Sequence, residues 1–333
     1  MKILTIKKPD DWHVHLREGI ILKNIIKFTT DYFGRAIIMP NTKDPITSIE
    51  KAIAYKKTIF QALPSKTNFI PLMTIYLTDE TSKEEITKGY KNNIFFGAKL
   101  YPANATTNSS YGVSDIKKIY YLFELMEELG MPLLIHGEVN DPEVDIFDRE
   151  EVFINRELAP IIENFPKLKI VLEHITTSHA VDFVKENNIG ATITPHHLHI
   201  NRNAMFFGGI NSDFYCLPVA KREANRVSLI KAATSGKECF FLGSDSAPHL
   251  REWKAFCGCA GIFNAPVALE SYLQIFETEN ALENFEKFAS LNGAKFYNLE
   301  PNVETLTFER RPNKIRDFVE ISDNKKLIGK IKN

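Results

Sequence analysis

Asp11-Trp12-His13-Val14-His15-Leu16-Arg17 is the run on which the fold turns. Its two histidines stand one residue apart, a spacing with chemical meaning only in an extended chain. Side chains of a strand alternate between faces, so His13 and His15 point the same way and can close on one metal ion. A helix would put residues i and i+2 on different faces. Arg17 shares the parity and sets a fixed cation beside the pair. The segment predicts a strand over 11–16 with chemistry at its carboxyl end. Alone, His-x-His also suits surface or core histidines. The rest of the chain decides.

Seven more short apolar runs follow at 35–40, 69–77, 94–101, 132–137, 169–175, 190–195 and 239–245. They are rich in β-formers and bounded by Gly or Pro, the pattern of buried parallel strands. Helical periodicity fills the gaps near 48–62, 82–90, 150–164, 178–187, 223–235 and 264–279. It is clearest over 114–130, where Ser114 can cap, Ile116, Ile119, Tyr120, Phe123 and Met126 form one stripe, and Gly130 ends it. Eight strands each followed by a helix predict the α/β class and a (β/α)8 TIM barrel. No glycine-rich dinucleotide or phosphate-binding fingerprint follows a strand, which argues against an open doubly wound sheet. The 333 residues suit one such barrel, and the tail from about 300, with Arg310, Arg311, Lys314, Lys325 and Lys326, reads as a short solvated appendage.

A net charge of -1 implies no basic field for nucleic acid. The opening residues carry no leader-like apolar core, and no later run is long enough to span a bilayer, so a cytoplasmic protein is expected. Cys216, Cys239, Cys257 and Cys259 are too few for a disulfide framework. Cys257-Gly-Cys259 lacks a second ligand pair at zinc-site spacing and reads as a tight loop.

Barrel chemistry sits at the carboxyl ends of the strands. There the sequence puts His13 and His15, Lys99, His136, His174 and Asp245. One zinc ion is satisfied by about three protein ligands and a water, so this inventory suits two. Two cations need a bridging anion, which Lys99 supplies if its neutral amine takes up carbon dioxide as a carbamate; otherwise Lys99 is an ion-paired or snorkelling lysine. His196, His197 and His199 form a second cluster. As adjacent residues His196 and His197 are expected to face opposite ways, which makes structural roles the better account. His179, opening a helix, is expected to pack or cap. Asp10 and Asp11 are expected to bond backbone near the barrel mouth.

The chain resembles the amidohydrolase superfamily, and within it the dihydroorotases of the shorter, bacterial, stand-alone class. The matching segments are DDWHVHLREG (10–19), IIMPNT (37–42), FGAKLYPANATTNSSYGV (96–113), PLLIHGE (132–138), VLEHITT (171–177), TPHHL (194–198), CLPVAKR (216–222), GSDSAPH (243–249) and CGCAGIFNAP (257–266). They run in order over nearly the whole chain, which the resemblance makes a single barrel domain, 1–333. It implies two zinc ions at the C-terminal face. His13 and His15 would hold the more buried ion and His136 and His174 the more exposed one, with carbamylated Lys99 bridging them. Asp245 would ligate the buried ion and shuttle a proton. Arg17, Asn41 and His249 would bind a substrate carboxylate, and the main chain of Leu217 and Ala260 would meet a ring amide. Thr106 and Thr107 would ride on a flexible loop, 103–110, closing over the substrate. Glu18 departs from the usual Asp after the arginine, at a position with no ligand role.

The implied reaction is the reversible cyclisation of N-carbamoyl-L-aspartate to dihydroorotate in pyrimidine synthesis, run in reverse by hydroxide attack on the ring amide. A homodimer is implied too. The rivals are hydrolysis of another cyclic amide, such as a hydantoin or allantoin, and a barrel that has lost catalysis and serves as a scaffold. The carboxylate-binding set Arg17, Asn41 and His249 speaks against the first. The complete ligand set speaks against the second.

Overall fold

The computed structural model describes residues 3–312, 317–321 and 325–328, so Lys314 of the basic tail lies outside the described residues. Strand β1 (Ile3–Lys7) precedes eight short strands: β2 (Asp11–Val14), β3 (Arg35–Ile38), β4 (Ile70–Tyr76), β5 (Gly97–Leu100), β6 (Leu133–His136), β7 (Ile170–Glu173), β8 (Gly190–Ile193) and β9 (Phe240–Leu242). Each of β2 to β8 pairs in parallel with the next in chain order. The ring closes beyond the end of β9, where the Asp245 N–H donates to the His13 carbonyl at 2.9 Å and the His15 N–H to the Ser246 carbonyl at 3.1 Å. Asp11 reinforces this seam by accepting from the Ser244 N–H at 2.8 Å and the Ser244 hydroxyl at 2.5 Å. The eight-stranded TIM barrel expected from the sequence is present.

Both faces of the barrel strands are apolar because both are covered. Ala36, Ile38, Ile135 and Leu172 join the outer core under the helices. Ile37, Leu134, Val171 and Phe241 point inward with Trp12 and pack on Ala294 and Tyr297. Each such Val, Leu, Ile or Phe side chain contributes about 1.5–3 kcal/mol by leaving water. Gly293 is required there, since a Cβ would lie 2.0 Å from Trp12 Nε1. All eight predicted strands exist, but paired structure stops short of their predicted ends, at Val14, Glu173 and Leu242 in β2, β7 and β9. The trimmed residues are those that turn into the barrel mouth.

The predicted helices are found at Ile49–Ala62, Lys83–Lys91, Ser178–Glu186, Glu223–Thr234 and Ala268–Thr278, and as a continuous helical stretch over 149–164. Ser48, Ser82 and Thr177 cap three of them by accepting a backbone N–H in the first turn. The segment 114–130 differs at its start. Ser114 donates to Asp79 at 2.5 Å, and the cap is Asp115, whose carboxylate accepts the Lys117 N–H at 3.0 Å. A tight turn, Ile116–Ile119, leads into the helix Tyr120–Leu129, which ends at Gly130 with φ 69°. The sequence reading also passed over the helix Gly19–Thr30, which buries Ile21, Leu22, Ile25 and Ile26.

After the barrel, β10 (Thr305–Glu309) pairs antiparallel with β1, and β11 (Phe318–Ile321) with β12 (Lys325–Ile328). This terminal part is not wholly solvated, because Ile321 is buried against Ile21, Ile25, Leu250 and Phe263. Among the described residues, no helix is long and apolar enough to cross a membrane.

Candidate active site

His13 ends up beside His15 as the extended spacing requires, their Nε2 atoms 3.3 Å apart. Asp245 Oδ1 lies 3.2 Å from His13 Nε2 and 3.0 Å from His15 Nε2. Three ligand atoms, two neutral-capable nitrogens and a carboxylate oxygen, thus converge within 4.8 Å of one another. That donor set fits a borderline-soft cation such as zinc. His174, at the end of β7, stacks edge-on between His13 and His136 at centroid distances of 4.9 and 5.0 Å. Its Nδ1 is buried without a hydrogen-bond partner, an orphaned donor site of the kind a metal satisfies. His136 reaches the same space but turns its Nε2 to Glu138 at 3.1 Å. Lys99 is fully buried in the barrel, its Nζ 4.7 Å from the Tyr101 ring centre.

Glu173 was missed. It is buried between His13 and Lys99, one carboxylate oxygen 2.8 Å from His13 Nδ1 and the other hydrogen-bonded to Lys99 Nζ. Strand alternation would send Glu173 and His174 to opposite faces, but His174 has φ 43°, and this kink aims both inward. An acid inside the apolar run VLEHI (171–175) was the available signal. Arg17 and Asp245 are also left-handed, with φ 56° and 44°. Non-glycine residues there are uncommon and strained.

The buried charges shift one another. Burial pulls the His13 imidazole down, but Glu173 and Asp245 outweigh it and raise it to about 9. His15 is lowered to about 4, chiefly by burial, with the Arg17 charge adding to the effect. Burial favours a neutral Asp245, yet His13 and His15 hold its carboxyl well below the usual range. Burial likewise drives the Lys99 ammonium down, against the opposing pull of Glu173. A lysine so placed loses its proton more readily than one in water.

A second group adjoins the first. Arg17 Nε donates to the Pro248 carbonyl at 3.1 Å, and its Nη2 lies 3.1 Å from His249 Nε2. The same nitrogen stands 2.8 Å from the Ala260 carbonyl. It can serve only one of these partners in a given tautomer. Burial, with the Arg17 charge, pushes His249 down to about 2. The Tyr55 hydroxyl, another residue the sequence reading missed, donates to the Arg17 carbonyl at 2.5 Å.

The loop after β5 lies across this group. Asn41 Nδ2 donates to the Thr107 carbonyl at 3.0 Å, Asn108 Nδ2 returns a bond to the Asn41 carbonyl at 3.0 Å, and the Thr107 hydroxyl donates to the Ala260 carbonyl at 3.2 Å. Thr106 is tied through its backbone to Ser109. Leu217 follows Tyr215 on a segment joined to Ala260 by the Gly261 N–H, which donates to the Tyr215 carbonyl at 3.0 Å. Glu18 stays outside, accepting the Lys43 N–H at 2.9 Å.

The remaining polar groups separate clearly. His196 and His197 do not face opposite ways. They sit on a helical turn, Pro195–His199, where neighbours differ by about 100°, and their rings lie 4.5 Å apart. With Cys216 they form a ligand-like trio. But His197 already contacts the Thr194 hydroxyl at 2.8 Å and the Pro218 carbonyl at 3.0 Å. His199 meets the Ser271 carbonyl at 2.9 Å. His179 pairs with Asn155 at 3.2 Å and leaves the capping to Thr177. Asp10 is not at the mouth: it precedes β2 and grips Arg35 through contacts of 3.0 and 2.6 Å.

A parallel barrel whose strand ends gather imidazoles, carboxylates and a buried lysine beside an arginine–histidine pair defines a class, the barrel hydrolases built around metal. Residues 10–331 match the amidohydrolase family. A dihydroorotase of Synechococcus sp. (strain RCC307) is 57% identical over 310 residues, covering 92% of this chain and 90% of its own. The solved dihydroorotase of Campylobacter jejuni superposes with a TM-score of 0.89 at 36% identity, over 99% of this chain and 95% of that one. The Saccharomyces cerevisiae dihydroorotase, solved with 5-fluoroorotic acid, gives 0.91 at 33% identity over the same shares. The chain belongs to the amidohydrolase family, among its dihydroorotases.

Proposed function

We propose that this chain interconverts N-carbamoyl-L-aspartate and dihydroorotate, the ring-closing step of pyrimidine synthesis. The observation that carries this reading is the adjacency of two groups, the His13–His15–Asp245 cradle and the Arg17–His249 pair joined to Ala260. One suits a cation and the other an anionic ring substituent.

His13, His15 and Asp245 would hold one zinc ion, His136 and His174 a second, with Lys99 as a carbamate between them. Bound there, the pair supplies Lewis acidity and a water of lowered pKa. Asp245 takes the proton released when the ring amide is attacked and returns it to the leaving nitrogen. Glu173 holds the Nδ1 face of His13, leaving Nε2 directed at the cation site. Arg17 grips the substrate carboxylate with its planar fork, assisted by Asn41 and His249, and this favours dihydroorotate over a hydantoin. The main chain of Leu217 and Ala260 reads the ring amide. The family resemblance further supports a cytoplasmic homodimer, which sedimentation of the purified chain tests. Ultraviolet monitoring of dihydroorotate ring opening tests the activity itself; a purified, zinc-loaded chain without turnover would refute it.

Two substitutions probe substrate recognition. Arg17→Lys keeps the charge but not the fork, so KM for dihydroorotate should rise about tenfold or more. The rise should shrink for a ring analogue without the carboxylate, and equal losses on both compounds would assign Arg17 to the metal centre instead. Replacing both Thr106 and Thr107 by Ala removes the hydroxyl latch on Ala260. Turnover should fall about tenfold while metal content and melting stay unchanged. Wild-type kinetics would mean that the loop plays no part in closing the site.

A further inference from the structure

Lys254 sits on the short helix Arg251–Phe256, yet its side chain is buried at 3% exposure. Its ammonium donates to three main-chain carbonyls: Tyr215 at 2.8 Å, Cys259 at 3.0 Å and Gly261 at 2.9 Å. All three of its protons are occupied. Among the described residues no carboxylate forms an ion pair with it, and burial pushes it down to about 8. An unpaired buried charge is costly unless its hydrogen bonds are complete. Here they are complete, and every acceptor lies on one of two backbone segments.

Those segments, 215–217 and 259–261, carry Leu217 and Ala260. A single backbone bond, Gly261 N–H to the Tyr215 carbonyl at 3.0 Å, joins them on the same side. The Ala260 carbonyl accepts from the Thr107 hydroxyl and, in the tautomer that protonates Nε2, from His249. Lys254 adds three bonds to this backbone contact and reaches both segments at once.

We propose that Lys254 is a positioning residue, which fixes the spacing of the Leu217 and Ala260 main-chain groups and so sets how tightly the ring amide is read. This rests on the substrate reading above. The bonds of Lys254 go to the main chain and none reaches His13, His15 or Asp245. It acts through the two segments it clamps, so its loss should weaken ring binding more than the chemical step.

The test is Lys254→Met in the zinc-loaded chain, which keeps length and apolar bulk but removes all three donors. KM for dihydroorotate should rise about tenfold or more while kcat stays within about threefold. Zinc content should be unchanged, and the Gly261 amide should exchange with solvent faster than in the wild type. Lys254→Gln, which retains an amide donor, should fall between Met and wild type. A folded Met variant with wild-type KM overturns the proposal, as does a parallel loss of kcat and zinc. If neither variant folds, Lys254 supports the barrel as a whole, and the proposal fails. Absence of ring opening by the wild type would instead refute the substrate reading, and it is seen before any variant is made.

Discussion

A Lys99→Ala chain should lose most of its bound zinc and lower its turnover by more than about a hundredfold, the upper range for disturbing even an indirect metal contact. Lys99 is fully buried, and nothing else in its strand can bring an anion between His13 and the His136–His174 pair. Burial has already moved its amine toward the neutral form, whose nitrogen lone pair can attack carbon dioxide and release a proton as the carbamate forms. Alanine removes the stem that would carry the carbamate. Short carboxylic acids added with bicarbonate should restore part of the activity by supplying the missing oxygens from solution. Removing Lys99 also takes one of the two partners of Glu173, so melting must be measured beside zinc content. A variant that keeps two tightly bound ions and near-normal turnover would sink the carbamate.

The second large effect is expected at Asp245. An amide in place of its carboxylate accepts no proton, and general acid–base groups contribute about 10²–10⁴-fold. Asp245→Asn should therefore fold, close the barrel through the same backbone bonds and turn over at or below a hundredth of the wild-type rate. The seam does not depend on the carboxylate, because the Asp245 N–H makes the contact with His13. Metal analysis separates the two duties proposed for the residue. With both ions present, the loss reports proton transfer; with one missing, it reports ligation too. A fully loaded variant above about a tenth of the wild-type rate would leave proton transfer to another group.

The barrel was legible because buried parallel strands are short apolar runs, and eight of them recur in order along the chain. The His13–His15 pair was legible because strand alternation is a local rule. What escaped notice lay where local rules give way. Glu173 was hidden by the kink at His174, which breaks the alternation that made His13 and His15 readable. His196 and His197 were misjudged because a helical turn, not an extended chain, carries them. The pairing of β1 with β10 joins residues 302 apart, such as Thr5 and Thr307, and no local pattern names such a partner. Lys99, His136 and Asp245 were visible as polar residues at strand ends. Their division between two ions came from resemblance, and the structure itself gathers His13, His15 and Asp245 more closely than His136.

The left-handed backbone at Arg17, His174 and Asp245 has a consequence for the history of such a barrel. Each of these residues holds a conformation that costs on the order of 1–3 kcal/mol and that glycine adopts freely. If these residues act as proposed, durability and catalysis compete for the same positions. Selection for heat resistance alone would erode the centre first at these three bends, whereas selection for turnover keeps them strained. Melting temperature is accordingly a poor guide to fitness here: the most robust barrels in a random library would include those that had given up their chemistry.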